Sequence, residues 1–495
     1  MRITSRAALG AIAGACLASL GAQGVAAAAS PDLRVAQAAR NRDAAAVRSL
    51  LAEGAPVNAS PPGGVTALHW AVQRNDRELA ETLIAAGADV DAADQYSVTP
   101  LVLACTNANP RLVTRLLEAG ADPHRAQATG ETPLMTCARS GVVAAALPLL
   151  ATGADVNGAE RFHGQTALMW AAWEGHDAVV RTLLAHGAEV DARTTTGYTA
   201  LLLAAREGYA DVTGTLLAAG ADVNAAAHDG TTALLVAVIR RHLDYAELLL
   251  EHGADPNLGP GFTPLHWAAG KWDTELNDLS NGVAEGNRWS AFGGLHAPDR
   301  LRMVRRLLAH DADPDRQTAR TPGFGIQVKG HLGNMRGATA FLIAAKANDV
   351  AVMRELIEHG ADPFIPTFNG TTPLMVAAGV GHAPGITRSA EAEALRAVRL
   401  LVELGADVNA VNEAGDTALH GAAWRERADS IVQFLVDRGA HLDAKNYRDW
   451  TPLVIAEGIH TGGNFIKSDT SAALLRRLGA APSPPDVVRE PAAAP

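Results

Sequence analysis

The sequence is poor in the residues that redox proteins, disulfide scaffolds and most enzymes depend on. Of its 495 residues only three are cysteine and 4% are aromatic, while 48% are hydrophobic. With so few rings, the apolar content rests on alanine and leucine, which suits helices packed through small side chains. Cys16 falls in an N-terminal leader, and Cys105 and Cys137 stand at small-residue positions of two successive apolar segments where most other copies have alanine. A disulfide needs Cα atoms within about 7 Å, and stacked helices lie roughly 8–10 Å apart, so both are expected as separate buried thiols. No C-x-x-C, G-x-S-x-G, H-E-x-x-H or P-loop pattern occurs, which removes the motif-borne routes to catalysis. Positive charge is scarce as well. The 42 Lys and Arg against 53 Asp and Glu give −11, or −13 once Arg2 and Arg6 of the leader are taken away. That balance argues against nucleic acid as a partner.

What the chain does have is a repeated phrase. Thr263-Pro-Leu-His-Trp-Ala-Ala269 has near-copies opening at Thr66, Thr99, Thr132, Thr166, Thr199, Thr232, Thr339, Thr372, Thr417 and Thr451. The early intervals are about 33 residues, a period that belongs to stacked helical repeats. Gly130, Gly164, Gly197 and Gly370 each precede the Thr by two, where a tight turn takes positive φ. The Thr is read as a helix cap, with Pro100, Pro133, Pro264, Pro373 and Pro452 at the first helical position. A second helix then closes on Leu-Leu and a Gly-Ala-Asp turn, as from Leu83 to Asp89 and from Leu248 to Asp255.

On these motifs the chain resembles the ankyrin-repeat family over residues 32 to 481, and more narrowly it looks like long, signal-bearing bacterial members with interrupted C-terminal repeats. The resemblance implies a mainly α solenoid of about twelve helix-turn-helix units, on the order of 100 Å long at the usual helix-packing distance. Protein recognition is the function that the family implies.

Four segments follow. Residues 1–28 read as a secretory signal: Arg2 and Arg6, then the apolar run Ala7 to Leu20, then small residues at Val25 to Ala28. That run is too short and alanine-rich for a membrane span. A periplasmic or secreted location follows, with a lipid anchor at Cys16 the lesser alternative. Residues 29–258 are regular repeats behind an N-terminal cap, and 482–495 read as a disordered Pro- and Ala-rich tail. Within 259–481 the rhythm breaks four times, at Lys271 to Pro298, Arg316 to Gly337, Val380 to Ala394 and Ile459 to Thr470. The first break carries Leu276, Leu279 and Val283 at helical spacing. Three of the four fall between the two helices of a unit, in the eighth, tenth and twelfth repeats, and so project from one edge.

The histidines and tryptophans of the repeats receive structural readings. His69, His266 and His420 share the position after Leu and are expected to bond nearby backbone; His186, His252 and His359 close second helices, where they suit the negative terminus. Trp70, Trp170 and Trp267 are read as packing residues. The interrupting segments differ, because they keep aromatics and bases that neutral polar loops lack. The candidate protein-binding residues are therefore Trp272, Trp289, Phe292, Arg320, Phe324, Lys329, His331, Arg336, Asn464, Phe465 and Lys467. No catalytic residue, metal ligand or cofactor is assigned, and a monomer is expected. The alternative is an enzyme, or an accessory subunit of one, with a site under 271–298, 316–337 and 459–470. It would use His296, His331 or His460 with the acids Asp273, Glu275, Asp278 and Glu285.

Overall fold

The computed structural model describes residues 32–271, 295–319, 335–381, 390–425, 428–461 and 464–483. Residues 1–31, which include the leader, and 484–495 of the tail lie outside the described residues, as does the helical spacing of Leu276, Leu279 and Val283.

The described chain forms twelve antiparallel helix pairs. The first seven are Arg34–Arg40 with Ala44–Ala52, Ala67–Gln73 with Arg77–Ala85, Pro100–Thr106 with Pro110–Glu118, Pro133–Ser140 with Val143–Ala151, Ala167–Trp173 with Asp177–Ala185, Ala200–Glu207 with Ala210–Ala218, and Ala233–Arg240 with Leu243–Glu251. The last five are Pro264–Ala269 with Ala297–Ala309, Ala340–Lys346 with Val350–Glu358, Pro373–Ala378 with Glu391–Glu403, Ala418–Trp424 with Asp429–Asp437, and Pro452–Glu457 with Asp469–Arg477. First helices stack on first helices and second on second, so the helices of each pair pack mainly against those of its neighbours.

Local chemistry explains the unit. The repeat threonines cap as expected: Thr99 Oγ1 accepts from the Val102 N–H and Thr339 Oγ1 from the Leu342 N–H. The expected prolines sit in the first turn. Gly130 and Gly370 hold φ of 87° and 76° at the turn, where a Cβ on Gly130 would lie 2.8 Å from the Arg161 nitrogen. The Leu after the cap forms a buried column through the stack, with Leu68, Leu134, Leu201, Leu265 and Leu453 at most 1% exposed. Each such burial contributes about 2 kcal/mol.

His69, His266 and His420 behave as read. In each the Nδ1 accepts from the cap threonine N–H at 3.1 Å, and the Nε2–H donates to a carbonyl of the following turn, Val98, Arg316 and Trp450 respectively. His186, His252 and His359 donate to carbonyls four residues back at 2.8, 2.8 and 2.9 Å. Trp267 is buried, whereas Trp70 and Trp170 are half-buried and carry cations on their faces: Arg40 and Arg74 over Trp70, Arg139 over Trp170.

A polar ladder joins the turns. The side chain two residues past each Gly-Ala-Asp-type turn accepts the backbone N–H of the equivalent turn in the next repeat. It does so from Asn58, Asp91, Asn157, Asp191, Asn224, Asn257, Asp315, Asn409 and Asp443, at 2.7–3.2 Å. Several of the asparagines also donate to the facing glycine carbonyl, as Asn409 does to Gly439 at 2.9 Å.

Two expectations need correction. Cys105 and Cys137 form a disulfide, with Cα atoms 4.5 Å apart. The spacing between helix axes was the wrong quantity, because a Cα lies about 2.3 Å off its own axis. Two facing Cα atoms on helices packed through small residues therefore approach to within about 4–5 Å. The third insertion is also shorter than Val380 to Ala394, since its helix already begins at Glu391. The second helices of the eighth and tenth pairs run 13 residues where the others run nine, about one extra turn each at the edge where the insertions leave.

Candidate functional site

Three insertions leave the same edge, between the helices of the eighth, tenth and twelfth pairs. The edge is tied together by side chains at their roots. Lys271, at the start of the first insertion, lies 3.5 Å from Glu393 in the first turn after the third. This ion pair spans two repeats and brings the two roots side by side. Glu391, in the same turn, accepts from the Ser430 N–H at 2.7 Å. Asp429 accepts from Ser471 Oγ at 2.7 Å and from Thr470 Oγ1 at 3.1 Å, which joins the eleventh pair to the root of the fourth insertion.

Beneath this row lie two cations, one buried and one half-buried. Arg300 is 2% exposed, donates to Asp349 at 2.9 Å and to the Gly270 carbonyl at 3.1 Å. It thus pins the last residue before the first insertion to the cap of the ninth pair's second helix. Arg425 packs its stem over Gly379, and burial pushes its guanidinium down to about 10 against the attraction of Glu391.

The fourth insertion opens with two antiparallel strands, Ile459–Thr461 against Asn464–Ile466. Their register sets His460 opposite Phe465 and Thr461 opposite Asn464. Lys467 is exposed and paired with Asp469 at 3.1 Å. His296 caps the long helix of the eighth pair, its Nε2 3.5 Å from Arg241.

The second insertion leaves the opposite edge, where the turns lie. Arg336 sits at its root, its Nε donating to the Ala319 carbonyl at 3.2 Å and its own carbonyl accepting from Phe368. The candidates therefore divide: Lys467, with the strand carrying Asn464 and Phe465, belongs to one edge and Arg336 to the other. Trp272, Trp289, Phe292, Arg320, Phe324, Lys329 and His331 lie outside the described residues, as do Asp273, Glu275, Asp278 and Glu285. Among the described residues no group of three or more His, Cys, Asp or Glu is placed to hold a metal ion, and no helix is long and apolar enough to cross a membrane.

The root contacts were missed from the sequence because each joins residues of different repeats. One signal was legible in principle: the side chain that follows the turn by two is Asn or Asp in nearly every copy, and Phe364 breaks that rule.

Known families match most of the chain. One family model, ankyrin repeats (3 copies), matches residues 35–127, 101–194, 161–227, 201–276 and 296–388. A second, ankyrin repeats (many copies), matches residues 386–432. Among similar proteins, the E3 ubiquitin-protein ligase KEG of Arabidopsis thaliana is 29% identical over 187 residues, which cover 37% of this chain and 10% of that protein. Alpha-latroinsectotoxin-Lt1a of Latrodectus tredecimguttatus is 32% identical over 160 residues, 32% of this chain and 9% of the toxin. Neurogenic locus notch homolog protein 1 of Homo sapiens is 34% identical over 143 residues, 24% and 6% of the two chains. The chain thus spans a tenth or less of these relatives' lengths. The solved ankyrin repeat domain of Bcl-3 is 28% identical, covering 43% of this chain and 97% of that one, with a TM-score of 0.39.

Proposed function

This chain belongs to the ankyrin-repeat family, whose repeats mediate protein–protein interaction, and from that premise we propose that it is an exported, non-enzymatic binding protein. It holds another protein across the face made by its first helices and along the edge where three insertions emerge. The observation that carries this reading is the Lys271–Glu393 pair, which sets two insertion roots beside each other on one edge. Insertions gathered on one side of a solenoid mark a binding side. Export is supported by Arg2, Arg6 and the apolar run that follows. It is supported also by the Cys105–Cys137 disulfide, which suits an oxidising compartment such as a bacterial periplasm. We propose further that the protein acts as a monomer and does not bind nucleic acid.

The test is a pull-down from the native envelope fraction with the intact protein and with a variant whose three same-edge insertions are cut back to ordinary repeat length. A partner held by the intact form and lost from the trimmed, still helical form supports the reading. The same partners on both forms overturn the assignment to the insertion edge. Export is checked separately by sequencing the N-terminus of the natural protein, where processing near residue 28 is expected.

A further inference from the structure

The ladder along the turn edge has two missing rungs, at His124 and Phe364, where Asn or Asp stands in the other copies. Replacing a rung with Phe364 removes a hydrogen bond between the ninth and tenth pairs, and it leaves an aromatic ring 45% exposed. The ring lines a groove of about 290 Å³ with Pro363 on its own side, Gly405, Ala406 and Asp407 across from it, and Leu374 between. At the groove the two groups that an asparagine rung satisfies elsewhere are left over. Among the described residues the Asp407 N–H has no acceptor and the Gly405 carbonyl has no donor. Asp407 lines the groove and Asp362 accepts the Phe364 N–H at 2.8 Å; both are exposed and neither is in an ion pair among the described residues. The crowding of negative charge extends one repeat further. Asp315 has its carboxyl pushed up chiefly by burial, against the lowering hydrogen bond from the Asp362 N–H, with the charges of Asp362 and Asp313 adding to the rise.

We propose that this groove is a docking site for a short extended segment of a partner protein, a strand that carries an apolar side chain next to lysine or arginine. The apolar side chain lies on Phe364. A backbone carbonyl and N–H of the strand take the Asp407 N–H and the Gly405 carbonyl, replacing the absent rung. The basic side chain meets Asp362 and Asp407, in keeping with the net charge of −11. This site is on the turn edge, opposite the three insertions, so it stands or falls separately from the insertion-edge reading.

The probe is a fluorescein-labelled peptide of alternating leucine and arginine, followed by anisotropy on the full chain. Its analogue with glutamate for arginine, and one with methylated backbone nitrogens, serve as controls. F364N supplies the residue that other repeats have at this position, so it keeps the fold, which circular dichroism verifies. The proposal expects the leucine–arginine peptide to bind, and F364N and each control peptide to weaken binding by at least about tenfold. A variant with trimmed insertions is expected to bind it unchanged. Equal binding to F364N, equal binding of the glutamate peptide, or no binding at all overturns the proposal. So does a concentration-dependent dimer in sedimentation that F364N abolishes, since a second copy of the chain would then be the occupant.

Discussion

His266 offers the sharpest test of the energetics of the stack. Its ring is 1% exposed; Nδ1 accepts from the Thr263 N–H at 3.1 Å and faces the Thr263 hydroxyl at 2.7 Å, while Nε2–H donates to the Arg316 carbonyl at 2.8 Å. Only the neutral ring satisfies this set, because a proton on Nδ1 would point at the Thr263 N–H, which can only donate. Burial pushes its pKa down from 6.5 to about 4, against the raising effect of the carbonyl bond. The unfolded chain therefore takes up the proton first. The contribution of the neutral ring is whole above pH 6.5 and is lost as pH falls towards 4. A gap of about 2.5 units is worth roughly 3 kcal/mol at 1.36 kcal/mol per unit. His69 and His420 are shifted in the same direction, chiefly by burial, so the three act together. Proton–carbon NMR of the His266 Cε1 resonance is expected to show no titration between pH 5 and 7. H266Q is expected to be less stable than the natural chain at pH 7, with the difference shrinking as pH falls to 4. Hydrogen exchange at the Thr263 amide is the local probe, since a solenoid need not unfold as one unit. A His266 titrating near 6.5 in the folded protein, or a stability difference independent of pH, would refute the reasoning.

Further outcomes follow from other contacts. R300M takes the guanidinium from the half-buried Asp349, which keeps only its cap bond to the Val352 N–H, and frees the Gly270 carbonyl; it is expected to cost about 3 kcal/mol, read as a lowered urea midpoint, and a change below about 1 kcal/mol would show that the pair is dispensable. Alkylation followed by mass spectrometry is expected to label neither Cys105 nor Cys137 until the protein is reduced. The double variant C105A/C137A, which opens a loop with a sequence separation of 32, is expected to lose roughly 3–4 kcal/mol. F364N is expected to raise stability by about 1 kcal/mol by completing the ladder, measured as a higher urea midpoint. A fall in that midpoint would mean that the ring packs for stability.

The unit itself was legible in the sequence because its signals act over three or four residues. A Thr with its side chain free to accept, a Pro with no N–H to lose, and a Gly at positive φ specify cap, first turn and loop without reference to the rest of the chain. Repetition then fixed the stacking order, since each unit can bury its apolar stripe only on a copy of itself. Even the even-numbered placement of the three insertions could be counted from the spacing of the phrases. Distances across the stack could not. Whether Cys105 reaches Cys137 depends on how closely two alanine-lined helices approach. Whether Lys271 reaches Glu393 depends on the extra turn on the tenth pair's second helix, and whether Phe364 packs or stands open depends on the glycine and alanine facing it. A linear pattern specifies which face each residue occupies. Only the packed solenoid decides which faces of different repeats come within a bond's length, because that separation is set by the volumes of all the side chains between them.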